Sequence, residues 1–135
     1  MRKLFSSYYN DQLNHIWLFI FRLCVSGFML THGVPKLERL MAGGEIQFAD
    51  PFGIGPTASL ALSAFAEFFC SILIILGLAT RLATIPLIIN MSVTVIFAHA
   101  DDPFAGKEKA LLFLVCYLTI LIFGPGKYSA DRYIR

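Results

Sequence analysis

Glu67 stands in the apolar run Ala58 to Ala79 as its only acidic or basic side chain, set among Phe65, Phe68, Phe69 and Ile72. A carboxylate in hydrocarbon costs about 3 kcal/mol even on lenient insertion scales, so it must be paired, protonated or wetted inside a bundle. Such a group can orient a ligand or carry a proton. Two other apolar runs offer partners: Arg22 in the first and Asn90 in the third. At 1.5 Å per residue, Arg22 lies about 9 Å, Asn90 about 12 Å and Glu67 about 18 Å from the ends nearer the termini. The arginine stem spans much of that gap, which predicts an Arg22–Glu67 pair supported by Asn90. The alternative is an arginine that snorkels to the nearer surface.

A second polar group gathers at the opposite ends of the runs. His32 and Lys36 close the first, His99 and Asp101 close the third, and Glu108 opens the fourth. Convergence of such ends makes an outward-opening pocket above Glu67 the candidate ligand site. A metal site from His32, His99 and Glu108 has no local spacing to support it. No Ser/His/Asp set, phosphate loop, dinucleotide glycine pattern, or haem, flavin or metal motif is present, so no catalytic constellation is assigned.

These residues need four apolar helices to position them, with spans at 16–32, 58–79, 81–99 and 103–123, each near the length of about 20 residues that crosses a bilayer. The expected fold is an all-α integral membrane four-helix bundle in one domain. Pro35 to Met41, followed by Gly43-Gly44, reads as a short amphipathic helix on the membrane surface. The turn-rich apolar ADPFGIGP beyond it is expected to fold back over the bundle. Gly77 closes the second span, Thr80 is the candidate N-cap of the third, and the short turn makes these helices antiparallel neighbours. Pro86 is a candidate kink. Asp102-Pro103 offers an N-cap and first-turn proline for the fourth.

Composition supports the membrane reading. Of 135 residues, 57% are hydrophobic and 15% charged, too little charge to cover a soluble domain. The net charge of +2 is too small and dispersed to suggest a nucleic-acid partner. Cys24, Cys70 and Cys116 fall in separate apolar runs and read as packing residues. No secretory signal is evident after Arg2 and Lys3. Those two residues, with Tyr8, Tyr9 and Trp17, suit the interface. With four spans the termini share one side. Arg2, Lys3, Arg81, Lys127, Arg132 and Arg135 lie there, against Lys36, Arg39, Lys107 and Lys109 opposite. The positive-inside rule therefore places the termini in the cytoplasm.

In order and spacing the chain resembles the DoxX family of small four-helix membrane proteins from Ile16 to Arg132. The matching features are Arg22, Gly27, His32-Gly33, Lys36, Glu67, Gly77, Thr80-Arg81, Asn90-Met91, His99, Glu108, Gly124-Pro125-Gly126, Ser129 and Asp131. That resemblance implies an inner-membrane subunit of quinone-linked redox systems, since the family includes subunits of a quinol oxidase, of thiosulfate:quinone oxidoreductase and of oxidative-stress membrane complexes. The expected function is an accessory subunit binding a quinone-like or other apolar molecule. Glu67 and Asn90 would hold its head, His99 and Glu108 would lie above, and Phe65, Phe68 and Phe69 would form walls. The implied partners are the bilayer, a redox protein and a second copy of the chain. A small proton-coupled permease and a ligand-free scaffold are the alternatives.

Overall fold

The computed structural model describes residue 7 and residues 9–134; Arg2, Lys3 and Tyr8, assigned above to the interface, and Arg135, counted on the side of the termini, lie outside the described residues. Among the described residues the fold is all-α. Helix α1 runs Asp11–Ala42, α2 Pro56–Leu76, α3 Thr80–Ala98, α4 Phe104–Phe123 and the short α5 Asp131–Ile134. The first three are long and apolar enough to cross a membrane. α4 matches them with 20 residues, but its first two turns carry Lys107, Glu108 and Lys109. Phe28, Leu82, Leu112, Val115 and Ile122 point outward from the bundle. Outward apolar faces on helices whose backbone bonds are internal belong in lipid, so this is a multi-pass membrane protein.

α1 overturns one expectation. Instead of a span followed by a separate surface helix, it is one helix of 32 residues with Pro35 inside it. A proline within a helix removes a backbone bond and costs about 3 kcal/mol. Packing against α2 offsets that cost. Gly33 lies flush on the α2 backbone, where an added Cβ would come within 2.6 Å of the Glu67 carbonyl carbon. One turn later Lys36 donates into α2. Asn10 caps the start, its side chain accepting from the Leu13 N–H at 3.2 Å, and Gly43 ends the helix at φ 73°.

α2 stops at Gly77 in the left-handed region, φ 71°. Ala79 is also left-handed at φ 48°, a conformation that disfavours a side chain, and it precedes α3 directly. Thr80 is not the cap expected there; it is the first residue of α3, and its hydroxyl is buried without a hydrogen bond among the described residues. The cap comes from the far end of the chain. Asp131 accepts from the N–H groups of Ala79 (2.6 Å) and Thr80 (2.9 Å), and its own N–H donates to Gly77. α4 starts one residue later than the proline signal suggested, with Pro103 in the cap position, and Asp102 pairs with His99 at 2.5 Å instead.

The core is built from Met29, Cys70, Ile74, Leu87, Tyr117 and Ile120. Residues 43–55 fold back over α2 and α3 and place Phe52 6.0 Å from Phe97. Asp50 anchors this flap by accepting from Ile54 N–H (3.0 Å), Gly55 N–H (2.9 Å) and the Ser59 hydroxyl (3.0 Å).

Candidate functional site

Glu67 lies in a π-helical segment, Phe65–Cys70, inside α2. Such wide turns inside α-helices are rare and concentrate at functional sites. The side chain is 2% exposed. Its Oε1 accepts from Lys36 Nζ at 2.6 Å and from Asn90 Nδ2 at 2.9 Å, and the same Nζ donates to Ser63 Oγ at 3.0 Å. Oε2 is buried with no hydrogen-bond partner among the described residues. Asn90 therefore supports Glu67 as expected, but the counter-charge is Lys36.

The Arg22 expectation is wrong in both of its forms. Arg22 is fully buried and does not snorkel. Its Nη1 donates to the Ile74 carbonyl at 2.8 Å and its Nη2 to the Tyr128 carbonyl, tying α1 to the end of α2 and to the tail. Helix register explains the miss. Gly33 meets Glu67, so Arg22, eleven residues earlier, sits about 16 Å away along α1. Lys36, three residues beyond Gly33, shares its face and reaches Glu67 because α1 continues through Pro35. The His32-Gly33 and Lys36 spacing carried this signal, but only for a reader willing to run the helix through a proline.

Two cavities flank the pair. One, of about 280 Å³, lies between α2 and α3 beneath the 43–55 flap, with Phe48, Phe52, Leu62, Phe65, Ile89 and Phe97 in its walls and Ser63, Asn90 and Thr94 as polar points. The other, of about 300 Å³, is lined by His32, Lys36, Glu67, Thr94, His99 and Lys109 with Met29, Met91 and Phe113. His32 meets Phe113 edge-on at 5.9 Å. Lys109 takes the place expected of Glu108, which is exposed and lines neither cavity. Of the three phenylalanines expected as walls, only Phe65 serves; Phe69 stacks on it at 5.4 Å, and Phe68 lines neither cavity. No group of His, Cys, Asp or Glu among the described residues is placed to hold a metal ion.

Outside the membrane, the Asp50 carboxyl is below its ordinary value. Partial burial works against ionisation, but donation from Gly55, Ser59, Ile54 and Gly53 outweighs it.

The sequence pattern of the DoxX family matches residues 17–100, which include Arg22, Gly33, Lys36, Glu67, Asn90 and His99. The chain belongs to the DoxX family. An uncharacterized protein of Haemophilus influenzae is 30% identical to this DoxX protein over 126 residues, covering 86% of the chain and 89% of the relative. An uncharacterized membrane protein of Mycobacterium tuberculosis is 31% identical over 126 residues, covering 82% and 77%. No solved structure matches. α4 and the tail that caps α3 lie beyond the family match.

Proposed function

We propose that this DoxX protein is a four-span inner-membrane accessory subunit that holds a quinone-like or similar apolar molecule in the cavity between α2 and α3, with both termini cytoplasmic. The observation that carries the reading is an apolar cavity ending on Asn90, which is itself fixed by the buried Glu67. Mostly apolar pockets with a few convergent polar groups are a common ligand-site form. Phe48, Phe52 and Phe97 hold the body of the ligand. Asn90, Ser63 and Thr94 meet its polar head. Glu67 is a positioning residue in this scheme, because it lines the other cavity and reaches the ligand only through Asn90. α4 is the fourth span, its charged first turns lying in the interface. A partner redox protein passes the electrons, and a second copy of the chain is a further candidate partner.

The test is ligand capture. Protein purified in mild detergent should carry a quinone or similar lipid detectable by mass spectrometry, and added quinone should raise the melting temperature; saturation at a hundred times Kd stabilises by about 2.7 kcal/mol. Leu62→Trp, which fills the cavity, should abolish both effects. No bound molecule, together with an equal melting response in Leu62→Trp and wild type, would refute the reading.

A further inference from the structure

We infer that the second cavity is a water-filled vestibule through which Glu67 exchanges a proton with the aqueous phase on the side opposite the termini, and with that side only. This goes beyond the ligand reading and stands whether or not a molecule occupies the apolar cavity. It starts from three buried polar atoms without hydrogen-bond partners among the described residues: Glu67 Oε2, the Ser71 hydroxyl and the Tyr117 hydroxyl. They belong to one place. Ser71 follows Glu67 by four residues on α2. Tyr117, fully buried on α4, has its hydroxyl beside Ser71. The Tyr117 ring stacks on Phe113, a wall of the second cavity, at 6.3 Å.

A buried carboxylate oxygen without a partner among the described residues, on the wall of a polar cavity, is where water binds. A buried acceptor left alone costs about 1–3 kcal/mol, more when charged, whereas a buried water satisfies two to four such groups. At about 30 Å³ per water in the liquid, a cavity of about 300 Å³ holds several. Its wall continues away from Glu67 through Thr94, His32, His99 and Lys109, all toward the ends of the helices opposite the termini. In the other direction Cys70, Ile74, Leu87 and Ile120 close the bundle, each no more than 2% exposed. The charged and titratable groups that line this cavity with Glu67 are Lys36 and His32 from α1, His99 from the end of α3 and Lys109 from α4, with Tyr117 behind Phe113. Arg22 is held at the far end by the Ile74 and Tyr128 carbonyls.

The exchange itself is a single proton transfer. A hydronium in the vestibule gives its proton to Oε2, forming an O–H bond and leaving water. Oε1 goes on accepting from Lys36 and Asn90, so the pair is not dismantled, and the reverse step returns the proton by the same path.

Two measurements test this in the full chain. In sealed vesicles, a membrane-impermeant carbodiimide with an amine nucleophile marks carboxyls that are both reachable from water and able to hand over a proton, and mass spectrometry locates the mark. Wild-type Glu67 should be labelled when the reagent is on the side opposite the termini and unlabelled when it is on the termini side. Absence of label at Glu67 from either side, while the exposed Glu108 is labelled, overturns the proposal. Independently, in a background with Cys24, Cys70 and Cys116 replaced, Met91→Cys should react with a charged thiosulfonate from the side opposite the termini, and Leu87→Cys should not. Ser26 has a buried hydroxyl without a hydrogen-bond partner among the described residues and lies one turn from Arg22. Reaction of Ser26→Cys from the termini side would show a second entrance and refute the one-sided route.

Discussion

Lys36→Met removes the counter-ion of Glu67 and strands a carboxylate that is 2% exposed. Breaking a buried ion pair by deleting one partner costs about 3–5 kcal/mol, chiefly from the charge left behind. The Lys36 side chain is 26% exposed, so water already screens part of the pair, and the lower end of that range applies. Ser63 also loses its donor, while Asn90 stays on Oε1. The expected loss is therefore about 3 kcal/mol. Glu67→Gln should cost less, because the amide is neutral and still accepts from Asn90. In the double variant no buried charge remains, so the loss should fall well below the sum, with a coupling of about 2 kcal/mol. Reversible unfolding of the detergent-solubilised protein, followed through the single Trp17, measures all four corners of the cycle. The same cycle between Arg22→Met and Glu67→Gln should be additive within about 0.5 kcal/mol, since these residues share no partner. Additivity for Lys36 combined with strong coupling for Arg22 would refute the arrangement.

Gly33→Ala drives a methyl to 2.6 Å from the α2 backbone at Glu67 and should destabilise by about 1–3 kcal/mol in the same unfolding assay, whereas Gly27→Ala, with nothing within 4 Å, should be silent. Asp131→Ala leaves the Ala79 and Thr80 N–H groups without their acceptor and should cost about 1–2 kcal/mol by thermal melting. Thr80→Ala, which removes a hydroxyl with no hydrogen bond among the described residues, should cost distinctly less; equal losses would return the capping role to Thr80. The lowered Asp50 carboxyl contributes to flap anchoring fully above its ordinary value of 3.8, and that contribution is lost as pH falls through the still lower folded value. Proteolytic nicking between residues 43 and 55 should therefore stay flat from neutral pH down to about 4 and rise only below it, while Asp50→Asn should raise it at neutral pH.

Much of this molecule is decided by local chemistry that any reading of the chain finds. Long apolar runs, a glycine at the end of α2 and one acid in a run of apolar residues follow from what hydrocarbon tolerates, and each holds without knowing what packs against what. The all-α membrane fold, Glu67 as a buried centre and Asn90 as its neighbour are of that kind. The partner of Glu67 is not. Depth counted along separate helices cannot tell which residue of α1 comes opposite Glu67, because register depends on where two helices touch, and Gly33 decides that by letting the backbones close. The same contact carries α1 through Pro35, against the local rule, and so delivers Lys36 where Arg22 was expected. The cap of α3 was hidden for a related reason: Asp131 lies some fifty residues from the N–H groups it accepts from, a distance that only the folded tail removes. Glu108 and Lys109 are neighbours in sequence with the same depth, and which one faces the cavity is a question of helix rotation. That rotation is set by how α4 packs on its neighbours.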